Sequence, residues 1–98
     1  AKTDIKYVNN VQGGFELVIK PTVSAGGGPR VVVYTSVNPS YNVTNGDILY
    51  ENVDMTDPFD GGDEYFFWEV PTTVCSFGAK EGEIDGDGEI SNAACIAP

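Results

Sequence analysis

Two cysteines, Cys75 and Cys95, bracket the most charged stretch of the sequence, and a bond between them would constrain the whole C-terminal fifth of the chain. The pair lacks CxxC spacing and the chain contains no histidine, so neither a zinc site nor a redox motif is indicated. An even pair of cysteines in a small acidic domain favours a disulfide, and with it a secreted, extracellular protein. Such a bond would close a loop of about 20 residues and stabilise the fold by roughly 3 kcal/mol.

Length and charge limit the class of protein. The 98 residues, 41% of them hydrophobic, are enough for a single globular domain spanning residues 1–98 with one small core. Fifteen acidic and five basic residues give a formal net charge of −10, which argues against nucleic acid and anionic membrane surfaces as partners. The sequence also contains no apolar run long enough to span a membrane.

Short apolar stretches alternate with turn-forming residues along the chain, and none of them has a helical period. The predicted strands are 4–9, 15–23, 30–36, 48–53, 64–70 and 72–77. Six short antiparallel strands predict an all-β fold, either a small β-sandwich or an open barrel, followed by a C-terminal loop that the disulfide closes.

The segment 64–70 carries four consecutive aromatic residues and therefore needs cover on both faces. We expect it to be a central strand. We expect the core to contain one face of this strand and residues of earlier strands: Ile19, Val32, Tyr34, Phe66, Trp68 and Val70.

Between the cysteines, acidic residues occupy alternate positions: Glu81, Glu83, Asp85, Asp87 and Glu89. In an extended chain they would share one face, roughly 6 to 7 Å apart, and would repel one another unless a cation lay between them. The pattern therefore predicts bound calcium, and a solvated acidic loop is the alternative interpretation.

The segment 83–91 resembles the calcium loop of EF-hand and dockerin proteins, with Gly88 at the position of their invariant glycine. This resemblance implies a calcium site made by five residues: Glu83, Asp85, Asp87, Glu89 through its carbonyl oxygen, and Ser91. Ala94 stands where the family has its bidentate acid, so the resemblance implies that a further ligand comes from elsewhere in the chain.

A second acidic cluster lies on a glycine-rich segment: Asp54, Asp57, Asp60, Asp63 and Glu64. It could hold calcium or complete the first site. Solvated turns, in which aspartate side chains bond the local backbone, are the alternative.

No enzymatic activity is expected, because the absence of histidine excludes histidine-dependent triads and dyads. Several aromatic residues could form a platform for carbohydrate, and packing is the alternative explanation for them: Tyr7, Tyr34, Tyr41, Tyr50, Tyr65 and Trp68. The run Asn42-Val43-Thr44 is a glycosylation sequon on a predicted loop, with Asn42 as the acceptor.

The C-terminal third, with an aromatic strand, Cys75, an acidic loop and Cys95, resembles the disulfide-bonded C-terminal region of type IV pilins and pseudopilins. Some pseudopilin heads hold calcium in such a loop, so the resemblance implies that role for Asp85 and Asp87. It also implies a long apolar N-terminal helix, which the residues before Asp4 do not supply. Two functions follow as expectations: a secreted structural or adhesive subunit that contacts other copies or a partner subunit, or a calcium-dependent carbohydrate-recognition module.

Overall fold

The computed structural model describes residues 6–8, 11–22 and 29–97, and these form a nearly all-β domain. Its strands are β1 (Lys6–Val8), β2 (Val11–Gly13), β3 (Phe15–Pro21), β4 (Val31–Thr35), β5 (Glu64–Glu69), β6 (Ala79–Ile84) and β7 (Ile90–Cys95). A short 3₁₀ turn occupies Ser40–Asn42. The all-β prediction is confirmed. None of the described residues belongs to a helix with the length and apolar character needed to cross a membrane.

Five strands form one antiparallel sheet in the order β4-β3-β5-β6-β7, and β1 pairs with β2 as a separate hairpin. Strand β5 lies at the centre of the sheet, as its aromatic content predicts. It pairs with β6 along its whole length, with Phe66 opposite Gly82 and Trp68 opposite Lys80. Its pairing with β3 is much shorter and involves only two residue pairs.

The segment 46–50 bonds to both edges of this sheet. Tyr50 exchanges two backbone hydrogen bonds with Tyr34 of β4, at 2.8 and 2.9 Å. Leu49 donates to the Gly88 carbonyl at 2.8 Å, beside the start of β7. This one segment therefore bridges the two edges of the five-stranded sheet at isolated points. The predicted strand over 48–53 is wrong, since only isolated bridges form there.

Two predictions for the C-terminal third are also wrong. The segment 72–77 is a turn, in which the Pro71 carbonyl accepts hydrogen bonds from the amides of Val74 and Cys75. This turn chemistry overrides the β propensity of the threonine and valine residues. The stretch between the cysteines is a hairpin of β6 and β7, where an irregular loop was expected.

The core contains four of the predicted residues, all buried: Ile19, Phe66, Trp68 and Val70. Val32 is 41% exposed and Tyr34 is only half-buried, so the prediction for them is wrong. The cause is register: in β4 the neighbours Val33 and Thr35 face inward, and alternation places Val32 on the outer face opposite Val18.

Candidate functional site

The acidic residues between the cysteines divide between a strand and a turn. Glu81 and Glu83 lie on the outer face of β6, opposite Ala94 and Ser91 of β7. The three later acids lie in the turn that joins β6 to β7 or directly flank it: Asp85, Asp87 and Glu89. The predicted row of five carboxylates on one extended face is therefore wrong, because the extended segment ends at Ile84.

Asp85 stabilises the turn. Its Oδ1 accepts hydrogen bonds from the backbone amides of Asp87, at 2.8 Å, and of Glu89, at 3.0 Å. Its backbone carbonyl accepts a further bond from the Gly88 amide, at 3.1 Å. This is the local role that aspartate commonly has in turns, and it leaves Oδ2 of Asp85 outside these bonds.

Position 88 requires glycine for a structural reason that is independent of any metal. Its φ is +80°, a left-handed conformation that favours glycine. A Cβ at this position would collide with the Leu49 carbonyl oxygen and press on the backbone of Phe59. The glycine therefore allows the turn to pack against the segment that joins the two edges of the sheet.

The two remaining predicted calcium ligands lie beside the turn. Glu83 and Ser91 face each other across β6 and β7, and Oε1 of Glu83 accepts a hydrogen bond from the Asn92 side chain at 3.1 Å. Across residues 6–8, 11–22 and 29–97, no group of three or more acidic or cysteine side chains has the arrangement of a metal site.

The second acidic cluster meets the first through Asp60. The amide of Gly61 donates to the Asp85 carbonyl and that of Asp63 to the Ile84 carbonyl, both at 2.9 Å. A Cβ built on Gly86 would lie 3.6 Å from Oδ1 of Asp60. The structure thus places Asp60 against the acidic turn, a contact between segments 25 residues apart that no local pattern in the sequence reveals.

Asp54 and Asp57 belong to a different turn. Oδ1 of Asn52 accepts hydrogen bonds from the amides of Thr56, at 3.2 Å, and Asp57, at 3.0 Å. The turn is thus organised by the Asn52 side chain and by neither aspartate, and metal binding by Asp54 and Asp57 stays a prediction.

The predicted disulfide is present. Cys75 and Cys95 are joined by an S–S bond of 1.99 Å, with 5.5 Å between their Cα atoms. Cys75 is buried at the edge of the core, so the bond ties the turn after β5 to the end of β7.

A cleft of about 530 Å³ opens where β3 and β5 separate. Its lining comes from four parts of the chain: Glu16, Leu17, Val18, Lys20, Arg30, Ser40, Tyr41, Phe67, Trp68 and Glu69. Sequence reasoning missed the cleft because these residues meet only through the topology. Two of the aromatic residues proposed for carbohydrate, Tyr41 and Trp68, contribute to this lining.

Two hydrogen bonds hold the 3₁₀ turn beside this cleft. The hydroxyl of Ser40 donates to the Glu16 carbonyl at 2.7 Å, and Nε1 of Trp68 donates to the Tyr41 carbonyl at 3.1 Å. Because one bond reaches β3 and the other β5, the turn bridges the gap between the two strands.

The remaining predicted positions are dispersed. Tyr65 is 37% exposed and lies opposite Glu83, whereas Tyr34 and Tyr50 are half-buried and pair with each other. Tyr7 lies in β1, and its side chain is outside the described part of the structure. The sequon acceptor Asn42 is exposed on the 3₁₀ turn, a position open to modification.

A comparison of the chain with protein-family models, with curated proteins and with solved structures finds no match.

Proposed function

We propose that this domain is a secreted structural or adhesive subunit of an extracellular, pilus-like assembly. The observation that carries the proposal is the outer edge of β4, an apolar strand at the end of the sheet. The disulfide between Cys75 and Cys95 supports an oxidising, extracellular environment. Edge strands present unpaired backbone groups that can bond to another chain, which is how many β proteins associate.

The alternation of backbone hydrogen bonds along β4 identifies the residue whose amide and carbonyl are available to pair with another chain. Tyr34 directs its amide and carbonyl away from β3, because both bond to Tyr50. Val32, two residues earlier, directs its own amide and carbonyl to the same side. Within the described ranges no strand pairs with Val32 on that side, and its side chain is 41% exposed. Another copy can therefore add a strand at this edge.

Val32→Lys tests the edge. A lysine on an edge strand opposes pairing with another chain, so we expect self-association at rising protein concentration to weaken by at least about tenfold. Thr73→Lys adds the same charge in an exposed turn and is the matched control. Sedimentation velocity measures both. A parent protein that stays monomeric, or a Val32→Lys variant that associates like the parent, contradicts assembly through β4.

A calcium-dependent carbohydrate-recognition module is the second candidate. The observation that favours it is Tyr65, an exposed aromatic residue that lies across the strands from Glu83 and near the acidic turn. An aromatic ring beside a bound cation is a combination that can hold a sugar ring by stacking and by its hydroxyl groups.

Both proposed functions include a calcium ion bound by the acidic turn. The support is the approach of Asp60 to the turn that contains Asp85 and Asp87. Carboxylate and carbonyl oxygens are the ligands that calcium prefers. The EF-like segment lacks one ligand, because Ala94 stands at that position, and Asp60 could supply it from another part of the chain. We expect the weak affinity of extracellular calcium sites, roughly 10⁻⁴ to 10⁻³ M.

A melting curve in calcium against chelator tests this site. At a hundredfold excess over Kd, binding to the folded state should stabilise it by about 2.7 kcal/mol. Asp85→Asn keeps a side-chain oxygen for the turn and removes the charge, so together with Asp60→Asn it should abolish the calcium effect. Asp57→Asn, in the separate turn, should retain it. Magnesium should substitute poorly because it keeps its waters. A parent melting temperature that does not respond to calcium would leave the turn as a solvated acidic loop.

A further inference from the structure

The cleft between β3 and β5 is lined by residues that lie outside the acidic turn. The ladder between the two strands contains only the pairs Lys20 with Phe67 and Pro21 with Phe66. The Thr22 amide continues the contact by a bond to the Tyr65 carbonyl, whereas no pair of described residues forms on the side of Ile19 and Trp68. The 3₁₀ turn at Ser40–Asn42 bridges the gap through its bonds to both strands. Small-molecule sites are usually preformed concavities of roughly 300 to 1,000 Å³, and this cleft, at about 530 Å³, lies within that range.

Basic side chains are scarce in this protein, and the cleft contains two of them. Of the five basic residues in the sequence, Lys20 and Arg30 line the cleft. Lys80 is occupied elsewhere, because its Nζ donates to the Val43 carbonyl at 3.0 Å. The lining also contains two carboxylates, those of Glu16 and Glu69. The cleft therefore offers positive charge for an anionic group and acceptors for hydroxyl groups within one small volume.

The size and charge of the protein restrict the ligand. A polyanion would be strongly repelled by the net charge of −10, whereas the repulsion of a ligand with a single carboxylate is far smaller. A guanidinium can hold a carboxylate by two parallel hydrogen bonds, and carboxylates accept hydrogen bonds from hydroxyl groups. The ring of Phe67, half-buried in the lining, offers an apolar surface to the face of a sugar ring.

We infer that the cleft binds a sugar that carries one carboxylate, a uronic acid or a short saccharide ending in one. Lys20 and Arg30 would hold the carboxylate, Glu16 and Glu69 the hydroxyl groups, and Phe67 the ring face. None of the lining residues belongs to the acidic turn, so the cleft is expected to bind its ligand in the presence of chelator.

Titration with D-glucuronate in chelator tests the inference. Trp68 contributes to the lining but its side chain is 1% exposed, so amide chemical shifts of the lining residues report and locate occupancy. D-glucose and acetate, each carrying half of the chemistry, should bind at least about tenfold more weakly than D-glucuronate. Lys20→Gln and Arg30→Gln should each weaken binding by about tenfold, which corresponds to about 1.4 kcal/mol. Ser76→Glu shifts the net charge by the same amount as each of these at an exposed residue outside the lining, and should bind like the parent.

Three results would overturn the inference. Equal binding of glucose would show that the charge is not recognised, and equal binding of acetate would show that the ring is not. The absence of any shift at Trp68 and at Phe67 with D-glucuronate at concentrations up to roughly 50 mM would remove the site altogether. Circular dichroism of each variant confirms folding, and sedimentation of the same samples reports β4 assembly separately, so failure of one proposal does not imply failure of the other.

Discussion

Replacing Trp68 by alanine is expected to lower the free energy of unfolding by about 3 to 5 kcal/mol, close to the whole stability of a small domain. Trp68 is 1% exposed and is the largest fully buried side chain. Its removal leaves a cavity on the central strand and deprives the Tyr41 carbonyl of its hydrogen bond. Both losses weaken the contact between β5 and the 3₁₀ turn, because that bond holds the turn against the sheet.

Two controls separate these losses. Trp68→Phe retains most of the packing but lacks the N–H donor, so we expect an intermediate loss of roughly 1 to 2 kcal/mol. Phe77→Ala removes an aromatic ring that is 55% exposed, and it should change stability by less than about 0.5 kcal/mol.

Urea unfolding followed by circular dichroism measures all three variants. A Trp68→Ala protein with a urea midpoint close to that of the parent would show that β5 does not direct Trp68 into the core.

The features that the sequence predicts well are those that depend on neighbouring residues. Alternation in 64–70 places Phe66 and Trp68 in the core, because a strand buries every second residue and only one of the two faces can be turned inward. The disulfide is predictable because the chain has only two cysteines and no competing chemistry for them.

The inner face of β4 was not predictable in the same way. Val31, Val32 and Val33 are equally apolar, so the sequence alone cannot choose which of them faces inward. The register with β3 decides, since Val33 lies opposite the buried Leu17 and Val32 opposite Val18.

The acidic segment shows a different limit of prediction from sequence. Alternating acids are compatible with a strand, with a turn or with a metal loop, and the structure combines the first two. Asp85 becomes a turn residue because Gly88, in a left-handed conformation, permits the reversal that the Asp85 carboxylate then stabilises. The contact with Asp60 and the cleft beside Lys20 depend on how strands pair across the sheet, which no local pattern contains.

Removing the disulfide by the double substitution Cys75→Ser and Cys95→Ser is expected to lower the free energy of unfolding by about 3 kcal/mol. The bond joins residues 20 positions apart in sequence and restricts the unfolded chain, so most of the loss arises from the added freedom of the unfolded state. A further loss is expected at Cys75, which is 2% exposed, because a serine hydroxyl there would be buried.

The denaturant dependence of unfolding distinguishes this mechanism from a simple loss of packing. An unfolded chain without the cross-link exposes more surface, so the m-value should rise while the urea midpoint falls. Val74→Ala, a truncation in the same turn at a residue that is 41% exposed, should change neither by much. A double variant with the midpoint of the parent would contradict a stabilising role for the bond. Mass spectrometry of protein from its native source supplies the second measurement. Disulfides persist mainly where the surroundings are oxidising. Two free thiols in that protein would therefore contradict both the bond and the proposed extracellular location.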